Sequence, residues 1–368
     1  MISVSLATPA DDAELRELMA LTTLPGEITL AMQREPSLFA AGPAMGDVHQ
    51  VLVSREAGRV VGMAERAERS LYLDGLPALV GYLSGVRVHP EHRGGSSLFR
   101  GFRFLRRLHE GGGARLYLTT IARDNAEARA VLTSGRAGLP AYHAAGGYVT
   151  AAVPVRRAIR PAPLPGGTVT EATAADLDEL AGFLASEGSR HPFFPVVQRA
   201  DLVALPDGRL AGMQLSDLVV AGKHGAIAGC LARWDQHTYK QWRLVSYGWR
   251  MTLARPLYAL LAVAFGWPAL PPPGDEVPSV YAALALSSGD DPEIFRALAT
   301  ALVARERVRG GAFVSFGLLE SDPRLAVIRE LSPFMLYADL YVVTFDAEGE
   351  VARTLLRKKQ WYVELATL

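Results

Sequence analysis

The chain opens with an alternating apolar segment that gives way to helical spacing. In "VSLATPADDAELREL" (Val4 to Leu18) a short strand pattern meets a Thr-Pro turn, and Leu15, Leu18 and Met19 then share one helical face. The same pattern returns in "VTEATAADLDELAGFL" (Val169 to Leu184), where Leu177, Leu180 and Leu184 form the face. A second pair repeats as well: "RRLHEGGGARLYLTT" (Arg106 to Thr120) and "ARERVRGGAFVSFGL" (Ala304 to Leu318) each predict a helix end, glycines able to take a left-handed cap, then a strand. Each half closes on an aromatic strand, "AYHAAGGYVTAAVPV" and "PFMLYADLYVVTFD". Repetition at this scale predicts two copies of one plan.

Between the copies lies "PVRRAIRPAPLPGG" (Pro154 to Gly167), whose proline and glycine content reads as a linker. The boundary falls near Pro161, giving units 1–160 and 161–368. Both are expected to be α/β, a mixed, mostly antiparallel sheet flanked by helices. In the first unit, "HQVLVSREAGRVVGMAERA" predicts a hairpin turning at Ala57-Gly58, and "ALVGYLSGVRVHP" the next strand. A helix from Ser97 to His109 follows, with Phe99, Phe102 and Leu105 inward.

Composition narrows the function. The 368 residues carry 38 basic and 38 acidic side chains, a formal net charge of +0, so nucleic acid and an acidic membrane are not expected as partners. One cysteine, Cys230, excludes an internal disulfide framework and a CxxC metal site and fits a reducing compartment. No secretory leader is evident at the start, and the longest apolar run, Pro256 to Leu270, is too short to span a bilayer, so a cytoplasmic location is expected. A homo-oligomer is compatible with all of this.

The densest chemistry lies in "VRVHPEHRGGSSLFRG" (Val86 to Gly101). A strand stops at Pro90 and a helix starts near Ser96, whose first N–H groups have no internal partner and sit at the positive end of the dipole. Arg93, Gly94 and Gly95 would let a pyrophosphate approach the backbone, with Ser96 and Ser97 adding amides. His89 and His92 flank Pro90-Glu91, but no third ligand lies at useful spacing, so no metal is expected. The corresponding loop of the second half, "LALSSGDDPEIFRAL", puts Asp290 and Asp291 where phosphates would sit, and reads as an ordinary Asp-capped helix entry.

Strand, VxPxxRGG, helix, strand, Asn, helix, Tyr and a final aromatic strand together resemble the acyl-CoA-binding core of the GNAT acetyltransferase superfamily. The likeness covers most of residues 1–155 and, in outline, the second half, so the chain looks like a tandem member. The family's phosphate loop reads R/Q-x-x-G-x-G/A; Arg93 matches, while Ser96 and Leu98 depart from it. The resemblance implies backbone contacts from Val86, Arg87 and Val88 to the pantetheine arm, a bond from Asn125 to the cofactor amide, and Tyr142 as the acid that protonates the departing thiolate. The segment from Tyr142 to Gly147-Tyr148 is one residue longer than usual, and Tyr148 reads as core. Glu65 and Glu68 are the candidate bases, and Tyr82 and Ser84 could touch the acetyl group or its water. The implied cosubstrate is acetyl-CoA, the acceptor a small-molecule or peptide amine, and the reaction direct transfer. Two alternatives stand beside it: a non-catalytic acyl-CoA-binding or scaffold protein, motivated by Ser96 and Leu98, and transfer from another carrier such as aminoacyl-tRNA, which the charge disfavours. The aromatic and basic stretch Cys230 to Glu276 is expected to pack between the halves or wall the acceptor cleft, and "SRHPFFPVV" (Ser189 to Val197) either walls it or fills core.

Overall fold

The structure, a computed structural model, describes residues 2–23, 27–92, 97–136, 138–345, 349–356 and 361–368. The first half contributes strands β1 (Ile2–Leu6), β2 (Ile28–Gln33), β3 (Val48–Glu56), β4 (Arg59–Leu73), β5 (Leu76–Val88), β6 (Leu116–Ala122) and β7 (Ala141–Pro154). Its helices are α1 (Asp12–Ala20), α2 (Gly42–Met45), α3 (Ser97–Glu110) and α4 (Ala126–Leu132). The second half supplies β8 (Gly167–Glu171), β9 (Leu218–Lys223), β10 (Ala226–Trp234), β11 (Gln241–Tyr247), β12 (Ser279–Ser287), β13 (Phe313–Leu319) and β14 (Phe334–Thr344). With them come α5 (Leu177–Gly188), α6 (Arg199–Val203), α7 (Trp249–Phe265), α8 (Pro292–Arg309), α9 (Arg324–Glu330) and α10 (Gly349–Leu356).

Twelve strands form one sheet in the order β1-β3-β4-β5-β6-β14-β7-β13-β12-β10-β9-β8. Read from either edge, the order is the same once the halves are interchanged, so the repeat in the sequence is a two-fold repeat in space. Only β5·β6 and β12·β13 are parallel; the other neighbours are antiparallel. The central strands are exchanged. β14 pairs with β6 of the first half, and β7 pairs with β13 of the second. The two units therefore share backbone hydrogen bonds across their centre, beyond what a linker at Pro161 suggests.

The repeated N-terminal turns have a common cause. The Thr8 and Thr173 amides donate to Asp11 and Asp176 at 2.7 Å each, the reciprocal capping box of a helix start. The glycine caps differ from expectation: Gly310 adopts the left-handed conformation after α8, while Gly111 to Gly113 after α3 do not. There Gly112 leaves room for the buried Arg66 side chain. Three hairpins among the described residues turn through paired positive-φ residues, Ala57-Gly58, Asp74-Gly75 and His224-Gly225.

The stretch from Ser189 to Val197 is core. Phe193 N donates to Tyr72 O and Tyr72 N to Phe194 O, Phe193 and Phe194 are buried, and their rings meet Trp361 and Tyr362 edge to face. From the aromatic-basic stretch, β11 pairs with β2 as a separate two-stranded ribbon joining the halves. The helix α7 that follows turns Trp249, Leu253, Leu257 and Leu260 outward. Among the described residues no helix is long and apolar enough to cross a membrane.

Candidate active site

Strands β5 and β6 pair only at Gly81↔Tyr117 and Tyr82↔Leu118 and then part. The cause is in β5. Its register to β4 shifts between Met63 and Glu65, so Gly85 and Val86 oppose Ala64 alone. Such a bulge bends the strand away from its neighbour. Gly85 takes φ 64°, and a Cβ there would lie 2.6 Å from Glu65 Oε1, so the bulge needs glycine. Around it, the β6-facing backbone groups from Leu83 to Val88 have no ladder partner among the described residues and border a cleft of about 380 Å³.

Nine of the residues singled out in the sequence line this one cleft: Glu65, Tyr82, Ser84, Val86, Arg87, Val88, Ser97, Asn125 and Tyr142. Ser97 opens α3 at its mouth, and Phe102 and Leu105 of that helix form an apolar wall. Arg93, Gly94, Gly95 and Ser96 lie outside the described residues. Asn125 Oδ1 caps α4, accepting from Ala128 N at 3.0 Å, and leaves its Nδ2 without a partner among the described residues.

Tyr142 and Tyr148 are separated by the bulge that the extra residue predicts. The register of β7 to β14 shifts between Gly146 and Ala144, opposite Leu340 and Tyr341. An inserted residue reverses which face the following side chains take. Tyr142 accordingly faces the cleft, against Tyr341 at 5.9 Å between ring centres, with no hydrogen-bond partner for its hydroxyl among the described residues. Tyr148 points to the opposite side and donates to Val363 O at 2.8 Å, a core role. Burial pushes the Tyr142 phenol well above its ordinary value, so it stays protonated through the working pH range.

The two glutamates part in the same way. Glu68 lies on the face of β4 away from the cleft, ion-paired with Arg66 and accepting from Ala114 N at 3.1 Å. It does not line the cleft, and its carboxylate is engaged by these structural partners. Glu65 is in the cleft and buried. Burial opposes its charge, but His49 Nε2 at 3.0 Å, with Arg34 and Arg87 nearby, overrides this and holds its carboxyl at about 2. A carboxylate that acidic is a weak proton acceptor at neutral pH; it is suited to holding a cation. Tyr82 donates to or accepts from Thr120 Oγ1 at 3.3 Å, and burial raises its phenol to about 12.

Several cleft residues come from elements that no local pattern connects to it. Arg34 follows β2, and Trp242 comes from β11. Leu368 also lines the cleft. It is brought there by the segment 361–368, which Lys240 holds through hydrogen bonds to main-chain oxygens of Ala366 (3.4 Å) and Leu368 (3.2 Å). Burial depresses Lys240 to about 7, against an ordinary 10.5. Between those values the unfolded chain carries the extra proton, so this lysine makes stability rise with pH. The difference in urea midpoint between the parent and Lys240→Met should change in the parent's favour from pH 7 to pH 10; a pH-independent difference would contradict this.

Outside the cleft, side-chain atoms of His89, Glu91 and His92 that could ligate a metal lie within 4.8 Å of one another. The Glu91 side chain is exposed, however, and His92 Nδ1 lies 3.0 Å from Glu56.

The second half repeats the splay and then fills it. β12 is bulged at Leu284-Ala285, with Leu284 at φ 50°. The amides freed there meet side chains of the last segment: Leu284 N donates to Glu364 Oε2 at 2.9 Å and Ala285 N to Tyr362 Oη at 3.1 Å. Gly317 of β13 gives the segment passage, since a Cβ there would come within 2.6 Å of Leu365. At the start of α8, the Asp291 carboxylate accepts from Glu293 N (2.8 Å) and Ile294 N (3.4 Å), occupying the amides a phosphate would use.

No family model and no curated protein sequence matches the chain. Solved structures do. The chain is similar to a GCN5-related N-acetyltransferase from Sphaerobacter thermophilus at TM-score 0.55 and 12% identity, over 93% of this chain and 95% of that one. A tandem GNAT protein from the clavulanic acid biosynthesis pathway gives TM-score 0.55 and 12% identity over 94% and 98%. N-myristoyltransferase from Saccharomyces cerevisiae gives 0.58 and 11% over 94% and 79%. The chain thus has the fold of the tandem GCN5-related N-acetyltransferases.

Proposed function

We propose that this chain is an acyltransferase, and that its first half moves an acetyl group from acetyl-CoA to a primary amine by direct transfer. The splay of β5 from β6 carries the reading: it leaves a strand edge of unpaired N–H and C=O groups facing a cleft, which a pantetheine arm with its two amides would pair. Val86 and Val88 offer that edge and Asn125 Nδ2 a further donor, while the first turn of α3 lies where a pyrophosphate would end. Acetyl-CoA bound there would supply the thioester.

The chain's own groups then have distinct tasks. Glu65, ionised, holds the acceptor ammonium beside the thioester carbon until it loses a proton to water. As the new C–N bond forms and the C–S bond breaks, Tyr142 gives its hydroxyl proton to the leaving sulfur, and the second proton shed by the nitrogen returns through water to the Tyr142 phenolate. The burial that raises the phenol also raises the proton affinity of a thiolate in the same cleft, which keeps the two matched. An acyl-cysteine has no place in this scheme, because Cys230 is fully buried in β10 and its thiol is pushed up to about 12.

The second half has the same splay with its own segment 361–368 inside it. We therefore expect isothermal titration with acetyl-CoA to give a stoichiometry near one per chain; two equivalent sites would refute the assignment. The function itself is tested by acetyl-CoA-dependent thiol release with a panel of primary amines. Amine-dependent release that falls at least about 10-fold in Glu65→Gln supports it, and release from no amine would refute it.

A further inference from the structure

Arg34 lines the cleft and is 2% exposed. A guanidinium carries five N–H donors and no acceptor. Here Nε and Nη1 have no partner among the described residues. Nη2 has only Met45 Sδ at 3.8 Å and Glu65 Oε2 at 4.0 Å. A buried cation left this bare is costly, and the cost is lifted when an oxyanion joins it. Arg87, in the same cleft, also has an unpartnered buried Nε. The charged side chains lining the cleft are thus two guanidiniums and the one carboxylate of Glu65, with His49 bonded to that carboxylate. Lys240, behind them, is occupied by the main-chain oxygens of Ala366 and Leu368.

A simple alkylamine does not fit such a place. Its ammonium would meet Glu65 but add positive charge beside two guanidiniums and leave Arg34 without an acceptor. We infer that the acceptor is a small α-amino acid, whose ammonium meets Glu65 and whose carboxylate meets Arg34. The two protein charges are near neighbours, with Arg34 Nη2 4.0 Å from Glu65 Oε2, and the ammonium and carboxylate of an α-amino acid are joined through a single carbon, so one molecule reaches both. Met32, Leu52, Met63 and Trp242 line the same cleft and give its side chain an apolar wall. The inference rests on the acyltransferase reading and names the substrate class of that site; the product is the N-acetyl amino acid, with CoA thiol released.

The test is thiol release from acetyl-CoA with the twenty α-amino acids and, for each one that reacts, its carboxamide and its decarboxylated amine. A site built around a buried charge discriminates strongly against an analogue that leaves the charge unpaired, so kcat/KM should be higher for the acid by on the order of 10²-fold. Arg34→Gln should collapse that ratio to below about 10-fold, mainly through the acceptor KM, while the KM for acetyl-CoA stays near the parent's; Arg34→Lys should restore part of the ratio. A second measurement needs only the parent protein: an N-acetyl amino acid should inhibit about 10²-fold more strongly than its carboxamide. Release with amines regardless of a carboxylate, or equal inhibition by acid and amide, overturns this inference and leaves the acyltransferase reading standing. Release with no amine of either kind overturns both.

Discussion

Tyr142→Phe is expected to lower turnover by about 10²-fold while the KM for acetyl-CoA stays close to the parent's. The substitution removes one hydroxyl and little volume, and the ring remains against Tyr341. What is lost is a proton delivered to the leaving sulfur, and positioned proton transfer contributes roughly 10²–10⁴-fold. The lower figure is expected because a thiolate leaves comparatively well. Ground-state binding changes little because a phenol-to-sulfur contact is weak before the C–S bond breaks. Tyr148→Phe is the companion variant. It removes a buried bond to Val363 O and should cost stability of about 1 kcal/mol without a matching loss in turnover. Full turnover in Tyr142→Phe with loss in Tyr148→Phe would place the acid on the other side of the β7 bulge.

The second large effect is on stability. Tyr362→Ala should destabilise the protein by about 3–5 kcal/mol, read from the urea midpoint and slope. The ring is buried against Phe194, and its hydroxyl both accepts from Ala285 N and donates to Glu364 Oε2 at 2.7 Å. Truncation leaves a cavity and also strips a buried amide of its partner. Tyr362→Phe keeps the ring and should cost about 1–3 kcal/mol. A cost below about 1 kcal/mol for the alanine variant would mean that segment 361–368 lies loosely over β12 and is no part of the core.

Much of this architecture is legible in the sequence because it depends on local chemistry. The capping boxes at Thr8 and Thr173, the Asp291 cap, the Ala57-Gly58 turn and the helix from Ser97 each follow from residues adjacent in the chain. The Asp74-Gly75 turn had the same kind of signal in "YLDGLP". Strand parity separates Glu65 from Glu68 and, once the bulge at Ala145-Gly146 is counted, Tyr142 from Tyr148. What periodicity does not reveal is long-range pairing. Nothing near β7 or β14 indicates that they exchange places, because both are apolar aromatic strands that would satisfy either half. Nor does any motif link Arg34, His49, Trp242 and Lys240 to the cleft. His49 reaches Glu65 from β3, and the others arrive through the β2·β11 ribbon and contacts between residues some 200 positions apart, such as Glu35 N donating to Gln241 Oε1 at 2.9 Å.

The central claim is that one acyl-CoA binds per chain, between β5 and β6, and that segment 361–368 takes the equivalent place between β12 and β13. A crystal structure of the protein grown with CoA tests it most directly. The account predicts a pantetheine arm paired to the main chain at Val86 and Val88, its sulfur near Tyr142, and Glu364 still bonded to Leu284 N. CoA lying between β12 and β13, with residues 361–368 displaced, would contradict it.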